Sequence, residues 1–305
     1  MIKQLARSVG PAPQLGTEPI TVEEYLPWRD VDERRWAARG SIPPALKHWA
    51  KLLLFPRYRF LSREFRHLRS LPRDTPSSSL LLGQRFELID AGPFLAQIDE
   101  IFVRQTYRFR CAEVAPLILD CGANIGLSVC YFKKLYPGSH VIAFEPDPRI
   151  FSVLTRNCKS LGLNNIELVP KAVWTSNTTL KFAREASDSG RLTNDIGGDN
   201  LVEVSACRLR DYLTQHVDML KLDIEGAEVD VLHHCADALQ NVDNIFVEYH
   251  SLYGRPQRFD ALIDALTNAG FRLHFHGASV SSTPLLCRNL HHGMDCQLNI
   301  FGYRE

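Results

Sequence analysis

The chain has 305 residues, with 35 Lys and Arg balancing 35 Asp and Glu and 45% hydrophobic residues, enough for one large domain or for one domain with a smaller extension. Zero formal net charge gives no overall basic footprint, so no nucleic-acid partner is expected. No run of 18 apolar residues occurs, and the N-terminal stretch carries Lys3 and Arg7 without an apolar core, so neither a transmembrane segment nor a secretory signal is expected.

Residues 1–80 read as a mainly helical extension. Residues 10–19 are punctuated by Gly and Pro and read as irregular. Thr21-Val-Glu-Glu resembles a capping box, and Pro43-Pro44 ahead of Ala45 resembles a second helix start. Residues 47–73 hold eight Lys and Arg against a single acid, Glu64, interleaved with Trp49, Leu53, Phe60, Phe65 and Leu68. This predicts amphipathic helices docked on the core with a basic solvated face; the alternative is a patch for a membrane surface or an acidic ligand. An arm of this kind can also serve a homodimer contact or a lid. Residues 72–79 read as a linker, so the boundary of the main domain is placed at 80/81.

Beyond the linker, Phe86-Glu-Leu-Ile alternates like a strand, whereas residues 99–109 fit a helix or an extended lead-in equally well. From Leu117 a strand–helix rhythm sets in. Strands are predicted at 117–119, 141–144, 166–169, 219–222 and 245–247, and helices at 126–136, from Pro148 to a stop at Gly162, at 227–239, and at 259–269 with Gly270 closing. Leu180-Lys-Phe and Val202-Glu-Val read as an inserted antiparallel pair. The last two strands, 271–275 and 297–303, have no helix-length pattern between them and are expected to pair antiparallel. The whole is an α/β, Rossmann-like, mostly parallel sheet. None of the eight cysteines forms a CxxC pair, so reduced, buried thiols in a cytoplasmic protein are expected.

Five segments carry chemistry. Asp120-Cys-Gly-Ala-Asn-Ile-Gly126 is a Gly turn leaving a strand and opening a helix, which lets backbone approach a ligand. Asn124 stands where a pyrophosphate site wants glycine, so a ligand without phosphate suits Gly122, Asn124 and Gly126 better. Asp120 at the strand end can face a cationic group. Phe144-Glu145-Pro146-Asp147 puts an acid about 20 residues past that turn, placed to accept both ribose hydroxyls. The loop Lys171-Ala172-Val173-Trp174 suits a purine edge, with Ala172 leaving room, or is a plain junction. Lys221-Leu-Asp223-Ile-Glu225-Gly-Ala-Glu228 gathers carboxylates after the fourth strand, and Val247-Glu248-Tyr249-His250 ends the neighbouring one. An acid in so apolar a strand end is costly unless paired, so Asp223, Glu248 and His250 are expected to share hydrogen bonds. Glu225 and Glu228 serve the site or only cap the following helix.

In this order and spacing the segments resemble the FkbM family of methyltransferases, whose pattern the chain matches at 120–126, 144–148, 172–174, 220–228 and 247–250. The resemblance covers about residues 115–305. It implies a seven-strand methyltransferase sheet with its last strand antiparallel, S-adenosylmethionine as cofactor, and O-methylation of a small-molecule or glycan hydroxyl in a sugar, glycan precursor or natural product. Under it, Asp223 or His250 is the expected base, with Glu248 orienting His250; Asp120, Gly122, Asn124, Gly126, Glu145, Pro146, Ala172 and Asp223 are expected to hold the cofactor. Asp223, Glu248 and His250 could instead gather a divalent metal that acidifies the acceptor, although no metal site is assigned.

Residues 184–200 are polar and rich in glycine. They read as a lid bringing Ser187, Asp188 and Arg191, with Glu225, to the acceptor, or as a surface loop. His274 and His276, with His291 and His292 further on, fit a pocket wall or plain surface better than a metal site. Two other classes stay open: an NAD-dependent oxidoreductase or epimerase, and a non-catalytic binding module on the same fold.

Overall fold

A computed structural model describes residues 56–184, 190–192, 201–279, 285–286, 290 and 293–304. The helix starts expected at Thr21 and Pro43, and Ser187, Asp188, His291 and His292, lie outside the described residues.

The described chain begins with helix α1 (Pro56–Ser70), then the short pair β1 (Ser77–Ser79) and β2 (Phe86–Leu88). Helix α2 (Ala91–Ile98), capped by the Asp90 side chain, runs straight into a wider π-helical turn, Asp99–Val103, in the segment whose sequence fitted two conformations. Leu61 and Leu68 of α1 lie in the same buried apolar cluster as Phe86, Phe102 and Ile118. The expected boundary at residue 80 falls between β1 and β2, which pair with each other. The serine run there reads as linker because its side chains are small and polar; its backbone nonetheless finds ladder partners, and Leu80 N–H donates to Glu64 of α1 at 3.0 Å. Arg59, Arg63 and Arg66 remain exposed on α1.

The main sheet then alternates with helices: β3 (Leu117–Cys121), α3 (Leu127–Leu135), β4 (His140–Phe144), α4 (Pro148–Ser160) and β5 (Ile166–Val169). α4 starts as its sequence requires, with Asp147 accepting from Arg149 N–H and Pro at the first turn, and Gly162 at φ 63° follows it. A smaller sheet follows, made of β6 (Ala172–Trp174), β7 (Thr178–Arg184), β8 (Gly190–Leu192) and β9 (Leu201–Arg208). The expected antiparallel pair is β7 with β9, Leu180 facing Val204 and Phe182 facing Val202; β6 and β8 add to it.

The chain returns to the main sheet as β10 (Val217–Leu222), α5 (Glu228–His234), β11 (Val242–Leu252), α6 (Phe259–Asn268), β12 (Arg272–Ser279) and β13 (Met294–Tyr303). α5 is shorter than the sequence suggests: it stops at Cys235, and Asp237 turns outward to pair with Arg210. The order is β12-β13-β11-β10-β3-β4-β5, with every β3, β4, β5, β10 and β11 pairing parallel and β13 antiparallel to both of its neighbours. β10 is buried at all six positions because helices cover both faces, which is why its sequence is an apolar run broken only by Asp218 and Lys221. Strand order reverses between β3 and β10, the point at which such sheets open a crevice at their carboxyl ends. No helix among the described residues is long and apolar enough to cross a membrane.

Candidate active site

The crevice is a real cavity, and most of the residues singled out by sequence line it. Gly122, Asn124, Glu145, Pro146 and Ala172 wall one end; Asp223, Glu225, Glu248 and His250 wall the other. The Gly turn is shaped by its neighbours. Gly122 and Ala123 N–H both donate to Phe144 O, tying the turn to β4, and Asp223 N–H donates to Cys121 O. Gly122 sits at φ 90° and Gly126 at φ 98°, conformations that glycine adopts without a Cβ penalty.

Glu145 is buried, with one oxygen accepting from Asn124 N–H at 3.1 Å and the other from Asp147 N–H at 2.9 Å. Each oxygen has capacity for a further hydrogen bond, and Glu145 lines the cavity. Burial pushes its carboxyl up to about 8 despite those two bonds. Ile150, Val173 and Phe182 form the apolar wall beside it. β7 is held over this end by Arg184, whose guanidinium bonds Asp147 at 2.8 and 3.3 Å.

Two expected residues stand behind the wall. Asp120 is fully buried and does not face the cavity; one oxygen accepts from Ser128 at 2.6 Å, and the other lies 3.4 Å from Lys221 Nζ. Gly126 faces away too, against Leu154 and Cys158. Lys221 was part of a motif but had no assigned role. It is buried, donates to Gly122 O at 2.9 Å, and lies 3.4 Å from both Asp120 and Asp223. Burial alone would favour its neutral form, but the charges of Asp223 and Asp120 outweigh it and raise its pKa.

At the far end Glu248 and His250 share a face of β11, two residues apart. The carboxylate holding His250 is not Glu248, as the sequence suggested, but Glu228, whose Oε1 lies 3.0 Å from Nδ1. Glu248 and Glu225 stand off Nε2 at 3.8 and 3.6 Å. Burial favours the neutral ring, yet Glu228, Glu225 and Glu248 together hold His250 well above the usual imidazole range. Burial and the nearby charge of Asp223 push the Glu248 carboxyl up to about 8, and the same two causes raise Glu100, which enters from the π-helical turn. In the metal alternative the compact set is Asp223, Glu225 and His250, with one atom of each within 4.8 Å of the others; Glu248 is outside it. Of the two roles that the sequence left open, Glu228 does not take helix capping: it accepts from Ile224 and Gly226 N–H in the turn before α5 and bonds His250 on the cavity wall.

Arg191 lies in β8 opposite Ala183, and its neighbour Gly190 lines the cavity. His274 and His276 are exposed on the edge strand β12, against Tyr303 and Phe301, away from the cavity wall.

Residues 120–273 match the Methyltransferase FkbM domain, half of the chain. The chain belongs to the FkbM methyltransferase family. Among its relatives, Methyltransferase sdnD of Sordaria araneosa is 32% identical over 58% of this chain and 87% of its own length. The hexuronic acid methyltransferase AglP of Haloferax volcanii is 30% identical over 46% of this chain and 58% of its own. The 2-O-methyltransferase NoeI of Sinorhizobium fredii is 27% identical over 50% and 71%. The methyltransferase carries the matched segments at the carboxyl ends of β3, β4, β10 and β11 and on β6, on both sides of the switch point, and the oxidoreductase alternative is set aside. Residues that sequence reasoning missed, Glu100 and Tyr107, reach the cavity from the segment before β3, outside the matched region. No periodic pattern marked them.

Proposed function

We propose that the methyltransferase uses S-adenosylmethionine to methylate a hydroxyl of a sugar, a glycan precursor or a natural product. The observation that carries this reading is the cavity's two unlike ends: Glu145 with capacity for further hydrogen bonds at one, a cluster of carboxylates at the other. The residues fit the cofactor. Glu145 is placed to accept from a vicinal diol, as an acid at the second strand end does for a ribose. Ile150, Val173 and Phe182 offer an apolar slot for a flat ring. Glu100, Asp223, Glu225 and Glu248 gather at the far end, and a positively charged ligand would favour the ionised forms of Glu100 and Glu248 that burial and Asp223 oppose.

Bound there, S-adenosylmethionine supplies an electrophilic methyl group on a positive sulfur. The chain's own residues align an acceptor and take its proton. Asp223 and Glu248 stand together for that task, beside a His250 ring whose carboxylate neighbours favour its charged form, and a base so placed contributes roughly 10²–10⁴ in rate. Gln97 and Gln297 on the same wall can hydrogen-bond neutral hydroxyls. The printed names of two relatives, a hexuronic acid methyltransferase and a 2-O-methyltransferase, support a sugar hydroxyl as acceptor.

The test is calorimetric titration with S-adenosylmethionine and, separately, NAD, repeated on Glu145→Ala, followed by methyl transfer from labelled donor to uronic acids and neutral sugars. Saturable donor binding that the variant loses, with label in a sugar ether, supports the reading. Binding of NAD alone, or of neither, overturns it. Donor binding without transfer to any hydroxyl acceptor leaves a binding module in its place.

A further inference from the structure

We infer that Glu228 is a positioning residue: it holds the His250 ring by Nδ1 so that Nε2 is the nitrogen presented to Glu225, Glu248 and whatever enters the cavity. The inference rests on the function proposed above for its catalytic meaning, but its geometry stands alone.

Glu228 opens α5 and is wholly buried; its sequence left it serving the site or capping the helix and named no partner for it. Its Oε1 accepts from Ile224 N–H at 3.1 Å and from Gly226 N–H at 3.0 Å, and Oε2 lies 3.1 Å from the same Gly226 N–H. A carboxylate held by backbone donors in this way has only acceptor character left to offer His250. The hydrogen in the 3.0 Å contact must therefore come from Nδ1. A second ring nitrogen fixed by a carboxylate is a recurrent way of setting imidazole orientation and tautomer. Around the ring, the charged groups are Glu228 on α5, Glu225 in the turn before it, Asp223 at the end of β10 and Glu248 on β11 itself; from β13 the residue opposite His250 is the uncharged Gln297. With Nδ1 committed on the buried side, the acceptor's proton meets the carboxylates flanking Nε2.

Glu228→Gln discriminates positioning from mere support. The amide oxygen at the Oε1 position can still accept from Ile224 N–H, Gly226 N–H and Nδ1, so the bonds survive while the charge on the acceptor is lost. The readout is the ring N–H spectrum of the full chain labelled with 15N-histidine, assigned by what His250→Phe removes. The expected wild-type signal is a downfield, slowly exchanging Nδ1–H, as buried charge-assisted hydrogen bonds give. Glu228→Gln should move it upfield and speed its exchange while far-UV dichroism stays unchanged, and Glu225→Gln and Glu248→Gln should leave it in place. An unmoved signal in Glu228→Gln, or its absence from the wild type, overturns the inference. If Glu228→Gln fails to fold, Glu228→Asp reads the same bond: a carboxylate drawn back by one methylene should move that resonance upfield and speed its exchange, and an unmoved resonance overturns the inference. The spectrum needs neither donor nor acceptor, so a failed donor titration would sink the proposed reaction and leave this result standing.

Discussion

The carbonyl oxygen of Asp223 lies 1.9 Å from the place that a Cβ on Gly122 would occupy. The turn after β3 and the end of β10 thus interlock backbone to backbone, and the two walls of the cavity are set by one contact. Gly122→Ala should force them apart. Overpacking costs about 1–3 kcal/mol and a side chain at left-handed φ about 1–2 more. In a chain of this size that is a fall in Tm of roughly 4 °C or more by scanning calorimetry, with loss of donor binding. An unchanged Tm would mean that the turn is not locked.

Glu145 titrates near 8 in the folded protein against an ordinary value of 4.5. The folded state therefore holds a proton that the unfolded chain releases, and the sign follows: this group makes stability fall as pH rises from about 4.5 to 8. Glu145→Gln should flatten that part of the profile, measured as urea midpoints across the window. Ligand binding runs the other way. A diol donating to Glu145 favours the carboxylate, so S-adenosylmethionine should bind more tightly as pH rises towards 8, with proton release visible when calorimetry is repeated in buffers of different ionisation heat. The Gln variant should lose that component.

Lys221 is the buried cation between Asp120 and Asp223. Lys221→Met would leave the Asp120 carboxylate fully buried without its counter-charge, a defect that costs about 3–5 kcal/mol. Adding Asp120→Asn should recover part of the loss. Urea unfolding of the two single variants and the double variant measures the coupling, and simple additivity would contradict the pairing.

Asn157 of α4 joins three segments. Its side chain accepts from Glu87 N–H at 2.7 Å and donates to Glu87 O and to Ile125 O, each at 2.9 Å. Asn157→Ala leaves those groups without partners, at about 1–3 kcal/mol for each that stays buried. Amide exchange should speed up at Glu87 in β2 and in the turn after β3 together. Faster exchange at only one of them would show that the two are not coupled.

Much of this architecture was legible because buried parallel strands read as apolar runs, and because Gly126, Pro148, Gly162 and Gly270 punctuate the helices between them. The cavity walls were legible for the same reason: polar residues at the ends of such strands stand out. What the sequence could not carry was pairing at a distance. Asp120 looked free to meet a ligand, but Lys221, across the strand pair, claims its charge. Glu228 read equally as a site residue or a cap because its partner, His250, lies on the next strand, 22 residues on. The serine run at 77–79 looked like linker because ladder hydrogen bonds belong to the backbone and leave no trace in side-chain type.

β13, the last strand of the sheet in chain order, lies between β11 and β12, both made before it. Until residues 294–303 leave the ribosome, β11 has no partner on that edge and β12 has no sheet to join. An unpaired edge of this kind templates association with other chains, and β11 is an eleven-residue strand with seven positions destined for burial. The interval between synthesis of β11 and arrival of β13 is therefore when this chain is most exposed to aggregation, and slower translation after residue 252 would lengthen that exposure.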